Sequence, residues 1–151
     1  MNEKAKEYWD KFWNGKEPPI SVNAWQFGFD SDGLAQLVIE GKKTATTSNY
    51  ALYDLENEPL PICGQYSVVL NSRDAPMAII KSVDVQVLPM NEVSEEYAIS
   101  EGEGDLSYEY WWNAHKEFFS KELEELGRVF TDDMLVVCER FELIDVNAKA
   151  D

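Results

Sequence analysis

The stretch Gly41-Lys42-Lys43-Thr44-Ala45-Thr46-Thr47-Ser48 is the point from which the chain is best read. Ahead of it, Leu34, Leu37 and Val38 share one face of a helix that Asp30-Ser31-Asp32 can cap and Gly41 can stop. Behind it, Thr44 to Ser48 has the β-branched content of a short strand. The stretch is therefore a helix-to-strand corner bearing an amine pair and several alcohols. Anchored on both sides, such a corner holds functional groups in fixed positions. A lysine and a threonine in a partly dry pocket there can activate a hydroxyl or bind the polar edge of a small ligand. The same residues also suit an ordinary helix end, with glycine in the left-handed cap and lysines at the negative end of the dipole.

Toward the N-terminus, Ala5, Tyr8, Trp9, Phe12 and Trp13 recur at helical spacing over residues 3–15, before Gly15 and Pro18-Pro19. Three large rings there would serve base stacking or, more ordinarily, packing of the helix onto a barrel. Trp25, Phe27 and Phe29 alternate as in a strand. Beyond the corner, Tyr50 to Pro61 reads as one helical turn and a loop, a composition that fits a flap over a pocket edge. Gln65 to Asn71 is a strand, Asn71-Ser72-Arg73-Asp74 a turn, and Ala75 to Leu88 one long strand or two shorter ones. Within that return Val83, Val85 and Val87 alternate with Asp84 and Gln86, which predicts a sheet with one wet face. Ser94 caps a short acidic helix leading into Glu101-Gly102-Glu103-Gly104-Asp105, read as a flexible, ligand-accessible loop. Ser107 caps the longest helix, with Trp111, His115, Phe118 and Phe119 on one stripe, and Leu135 to Val146 is the last strand.

This order does not alternate regularly enough for a doubly wound parallel sheet. An α+β domain over residues 1–151, a small mixed or antiparallel β-barrel with helices packed around it, fits better. The 151 residues suffice for one full core, and 44% hydrophobic with 13% aromatic residues argue for a folded chain. With 29 acidic residues against 13 basic, the net charge is -16, a field that repels polyanions and leaves small, neutral or cationic ligands open. Cys63 and Cys138 stand far apart in apolar sequence and read as two buried free thiols. With no Cys-x-x-Cys pair and His115 as the only histidine, a structural zinc site is excluded. No apolar run approaches membrane-spanning length and the N-terminus lacks a signal-peptide core, so a cytoplasmic protein without a membrane partner is expected. The oligomeric state is not legible.

Gly41-Lys42-Lys43-Thr44-Ala45-Thr46 resembles the Gly-x-Lys-x-x-Thr signature of the ASCH domain, the activating-signal-cointegrator homology domain. Ala24 to Gly28, Glu101 to Asp105 with Tyr110-Trp111 and His115, and Asp133-Met134 through Val137 to Phe141 resemble its bacterial YhfF-like branch. The resemblance spans Trp25 to Leu143 and implies a β-barrel of the PUA-like type. It also implies one of two functions: RNA binding by analogy with PUA domains, or amide hydrolysis, since some small bacterial members remove the acyl group from N4-acetylcytidine. Ribonuclease activity is attributed to others. Carried over, the catalytic lysine, threonine and glutamate of the hydrolases fall on Lys43, Thr46 and Glu101. Those enzymes have an arginine two places after the threonine, where this chain has Ser48, so a grip on an anionic group is lost.

The chemistry expected is attack of the Thr46 hydroxyl on an amide carbonyl, with Lys43 taking its proton and Glu101 orienting substrate or shuttling a proton, while the residues alone leave the hydroxyl open among Thr44, Thr46 and Thr47. Residues three apart on a strand point to opposite faces, so Lys43 and Thr46 converge only if the corner bends the chain. Thr44, Ser48, Trp25, Trp111, His115 and Glu103 are the substrate-binding candidates, Trp111 and His115 as walls of a pocket for a flat ring. Glu101, Glu103 and Asp105 lack the remaining ligands of a calcium loop, so neither metal nor cofactor is expected. The partner expected is a nucleoside-like small molecule, with RNA the second reading. An RNA site needs a Lys/Arg cluster, which only Lys42 and Lys43, with Arg73 or Lys81, can seed.

Overall fold

The structure, a computed structural model, describes residues 1–148; residues 149–151, the end of the expected unit, lie outside the described residues. The elements are α1 (Glu3–Trp13), β1 (Val22–Gln26), α2 (Ser31–Ile39), β2 (Ala45–Asn49), α3 (Tyr50–Leu55), β3 (Tyr66–Leu70), β4 (Pro76–Pro89), α4 (Glu95–Ser100), α5 (Tyr108–Glu125) and β5 (Leu135–Val146). A 3-10 turn, Met90–Glu92, follows β4. One five-stranded sheet runs β1-β3-β4-β5-β2 and curls into a half-barrel, open between the two edge strands β1 and β2. Only β1 and β3 pair in parallel. The expected mixed sheet with helices around it is what forms.

Three apolar clusters hold helices to this sheet. Ala5 and Trp9 of α1 pack on Val68, Leu70 and Ile79, with Trp9 and Trp13 edge-on to Tyr66, so the aromatic face of α1 is a packing face. Leu34, Ala35 and Val38 of α2 meet Phe27, Val69, Ile80 and Phe141. The third cluster joins α4 and α5 to the far end of the sheet through Tyr97, Ala98, Trp111, Phe119, Val136 and Cys138. Each large side chain fully buried in this way contributes about 1.5–3 kcal/mol. Tyr97 also ties α4 to the β2/β5 pair, since its hydroxyl donates to the Thr46 carbonyl at 2.6 Å and accepts from the Glu139 amide at 3.1 Å.

Two expectations are corrected here. Val83 and Val87 are exposed, not on a dry face. The register slips between Ser82 and Asp84, leaving Val83 without a partner, and β4 beyond Lys81 pairs with β5 alone, so this two-stranded stretch is thinly covered. Cys138 is buried as expected, but Cys63 is exposed and its thiol donates to the Val83 carbonyl at 3.1 Å. The loop before β3 carries Cys63 outside the sheet, where the neighbouring Pro61 and Ile62 do not pull it inward. No helix among the described residues is long and apolar enough to cross a membrane.

Candidate functional site

The corner after α2 is a Schellman cap. Gly41 has φ +76°, its amide donates to the Val38 carbonyl, and the Lys42 amide donates to the Leu37 carbonyl. The Lys43 amide donates to the same Leu37 carbonyl at 3.1 Å, which draws Lys43 in under the helix end. The chain then crosses to the loop after α4, where the Thr44 amide and hydroxyl both donate to the Ser100 carbonyl, at 2.9 and 3.2 Å. That loop is not open and flexible as its glycines suggested. Gly102, at φ +70°, sits so close that a Cβ there would lie 2.1 Å from the Lys42 carbonyl oxygen. A Cβ on Gly104 would lie 2.4 Å from the Tyr110 ring. Left-handed glycines therefore fold the acidic loop against the corner and turn Glu101 and Glu103 inward.

Lys43 and Glu101 are each only 1% exposed. The Lys43 ammonium donates to Glu101 Oε1 at 3.1 Å and to Glu103 Oε2 at 2.7 Å, and lies 5.3 Å from the centre of the Phe27 ring. Glu101 Oε2 accepts from the Thr47 hydroxyl at 2.7 Å and from the Trp111 indole Nε1, and faces His115 Nε2 at 3.4 Å. Burial alone would push Glu101 up, but the charges of Lys43 and His115 and the hydrogen bonds from His115 and Thr47 outweigh it and hold the carboxyl well below the usual range. Glu103 moves the other way: burial and the neighbouring Glu101 raise it, against the pull of Lys43. His115 is raised. Its burial opposes the charge, yet the Glu101 carboxylate, the Trp111 carbonyl and Glu103 prevail.

A cavity of about 60 Å³ opens onto this cluster, lined by Lys43, Thr46, Thr47, Glu101, Glu103 and His115 on the polar side. Phe27, Gly28, Leu34 and Phe118 close the other side. Beside it a larger groove of about 540 Å³ runs along α5, sharing Phe29, Ala114 and Phe118 with the small cavity and bearing Asp105, Glu109, Glu117 and Lys121.

The structure thus brings together Lys43, Thr46, Glu101, Glu103 and His115. The convergence of Lys43 with Thr46 needs no bend within the strand, because β2 begins only at Ala45. Thr46 and Thr47 then point to opposite faces: Thr47 is buried on Glu101, whereas the Thr46 hydroxyl has no partner among the described residues. Four other candidates are placed differently. Thr44 is committed to Ser100, and Ser48 lies 2.9 Å from the Tyr53 hydroxyl. Trp25 packs edge-on to Phe27 and does not line the cavity. Trp111 is a core residue whose indole serves Glu101 instead of walling a pocket. α3 likewise packs on β5 and lines neither cavity.

Sequence reasoning left the hydroxyl open among Thr44, Thr46 and Thr47 and did not pair Thr47 with Glu101, and it missed the apolar wall of Phe27, Gly28 and Phe118. A signal for the wall was present: Gly28 interrupts an aromatic alternation, and a Cβ there would lie 2.8 Å from Phe118. Lys42 is exposed and paired with Glu40, Lys81 lies over the Tyr66 ring, and Lys43 is enclosed by carboxylates. Among the described residues no group of acidic, histidine and cysteine side chains is arranged to hold a metal.

Compared with known proteins, residues 23–145 match the family model of the ASCH domain. The crystal structure of an ASCH domain from Lactobacillus crispatus JV V101 is similar at 33% identity and a TM-score of 0.90, covering 96% of each chain. The crystal structure of protein EF3133 from Enterococcus faecalis V583, described by the family model DUF984, is similar at 37% identity and a TM-score of 0.85, covering 97% of this chain and 91% of that one. No curated protein matches. The chain therefore belongs to the ASCH domain family, in its YhfF-like branch.

Proposed function

We propose that the protein is an amidohydrolase acting on a small acylated nucleoside such as N4-acetylcytidine, with Lys43, Thr46 and Glu101 at its centre. The observation that carries this reading is an ammonium clamped between the buried Glu101 and the partly buried Glu103 at a cavity that Thr46, whose hydroxyl has no partner among the described residues, also lines. Burying such charges is costly unless they are paired, and a purely structural core would be better served by apolar side chains. The small cavity suits an acyl group, and the adjoining groove, walled by Phe29, Tyr110 and Phe118, suits a flat ring.

In this mechanism the Thr46 oxygen forms a bond to the acyl carbon. Its proton passes to Lys43, which has first handed one of its own to Glu103, the carboxylate 2.7 Å away that burial makes readier to accept it. Glu101 is the fixed anion that orients the cluster, the role that suits a carboxylate so firmly held in its charged form. Water then releases the acyl group from Thr46. A cytoplasmic location belongs to the same reading, and the two unpaired thiols support it.

The test is release of cytidine from N4-acetylcytidine by wild type, Lys43→Ala and Thr46→Ala. Turnover by the wild type that both folded variants lose is the expected result. Binding of the nucleoside without turnover would instead favour a binding module of the PUA-like kind, the second reading. RNA is disfavoured as its ligand, because a net charge of -16 and an acidic groove repel phosphates.

A further inference from the structure

We propose that His115, the only histidine of the chain, is the general acid of this site and delivers the proton from its Nε2 to the departing amine nitrogen. This rests on the hydrolase reading and adds to it a catalytic residue outside the Lys43, Thr46 and Glu101 set.

The geometry determines which proton can move. His115 Nδ1 lies 2.7 Å from the Trp111 carbonyl, one turn back on α5. A carbonyl only accepts, so Nδ1 carries a hydrogen whether the ring is neutral or charged. The proton that comes and goes is therefore the one on Nε2, and Nε2 faces Glu101 Oε2 at 3.4 Å in a residue that lines the cavity. The ring packs between two others at a tilt, 34° to Trp111 with centroids 4.6 Å apart and 60° to Phe119 at 5.5 Å.

The charges around it favour the loaded acid. Glu101 and Glu103 face it from the loop after α4, and Lys43 faces the same two carboxylates from the corner after α2. α5 itself contributes the Trp111 carbonyl. Two carboxylates against one ammonium leave room for a second positive charge, and the ring sits above the ordinary imidazole value despite its burial. The oxygens of Glu101 are occupied by Lys43, Thr47 and Trp111, and Glu103 is engaged with Lys43.

The atoms balance as follows. The Thr46 oxygen bonds to the acyl carbon, the carbon–nitrogen bond breaks, and the nitrogen takes the Nε2 proton, leaving a neutral imidazole still protonated at Nδ1. In the second half a water oxygen bonds to the acyl carbon and its proton goes to Nε2. The Thr46 oxygen leaves and recovers its proton from Lys43, which then takes back its own from Glu103. The sum is amide plus water to acid plus amine, with every residue restored.

His115→Gln tests this with two substrates, N4-acetylcytidine and p-nitrophenyl acetate, whose p-nitrophenolate departs without needing a proton. The expected result is a kcat on the amide lowered by about 100-fold or more with KM little changed, and a loss on the ester at least tenfold smaller. Equal losses on both substrates would overturn the acid role while leaving the hydrolase intact. No turnover of either by the wild type would overturn both proposals together. A second readout needs no catalysis: nitrogen NMR of the single imidazole should show Nδ1 protonated throughout and Nε2 titrating above the ordinary range, with Glu101→Gln lowering that midpoint. A midpoint at or below the ordinary value in the wild type would sink the proposal.

Discussion

Lys43 and Glu103 meet at 2.7 Å in a place where the lysine has almost no solvent and the glutamate side chain is only 13% exposed. With Glu101 on the other side, one ammonium serves two carboxylates, and the three residues come from two segments that are stitched together by their backbones. An arrangement of this kind is held by the whole fold and cannot adjust locally when one member is removed.

Lys43→Met is therefore expected to cost about 3–5 kcal/mol of unfolding free energy, because it strands two carboxylates in a dry site. Lys43→Met combined with Glu101→Gln should cost less than the sum of the two single changes. Urea titration of the four proteins measures this. Additivity within error would mean that the pair is not coupled as its 3.1 Å contact implies.

Gly102→Ala should be far more damaging than Gly15→Ala, although both glycines have positive φ. At Gly15 a Cβ meets nothing within 4 Å, so only the left-handed strain of about 1–2 kcal/mol applies. At Gly102 the same strain is joined by a clash with the Lys42 carbonyl, which must push the acidic loop off the corner. Thermal unfolding should rank the two clearly, and hydrolysis should be lost at Gly102 alone. Equal stability of the two variants would contradict the close approach.

The groove along α5 presents Asp105, Glu109 and Glu117, while its one lysine, Lys121, pairs with Glu117. N4-acetylcytidine should therefore raise the melting temperature more than its 5′-monophosphate does, since a ligand of the native state stabilises by about 2.7 kcal/mol at a hundredfold excess over Kd. Added salt should narrow the gap by screening the repulsion. A monophosphate that binds as well as the nucleoside would place the ligand somewhere other than this groove.

How much of this was readable in advance follows from which interactions are local. The Gly41 cap, the Ser94 and Ser107 caps and the β5 strand lie in short sequence patterns and form as those patterns predict. The lysine end of the site was readable for the same reason. Its partners were not, because Glu101 stands 58 residues from Lys43 and only packing decides which carboxylate of the loop turns inward. Two glycines signalled a special backbone there, yet they read as flexibility and not as close approach. The identity of the threonine on Glu101 depended on strand parity. β2 starts one residue later than Thr44, at Ala45, and this sets Thr47 on the buried face, against Glu101, with Thr46 on the opposite face. Trp111 looked like a ligand wall because a helical stripe does not distinguish a ring that faces a pocket from one that faces the core.

Glu122 supplies a prediction on stability alone. It sits on α5 beside Asn49, and both Glu122 Oε1 and Asn49 Nδ2 are buried with no well-formed hydrogen bond between them or to another group. Burial raises its carboxyl from 4.5 to about 7, Glu125 and Glu56 add to the rise, and the Asn49 amide offsets only part of it. A folded value above the unfolded one means that the native state holds the proton more tightly. The stabilisation is then complete below about pH 4.5 and is lost as the pH climbs through about 7. Above that point the side chain is a charge in the wrong place. Glu122→Gln should stabilise the protein by roughly 1 kcal/mol near pH 8, a figure reduced from the full linkage value because the side chain is partly exposed. The gain should vanish near pH 4. Urea titrations of both proteins across this range check it, and a difference that does not vary with pH would show that Glu122 is solvated in the native state.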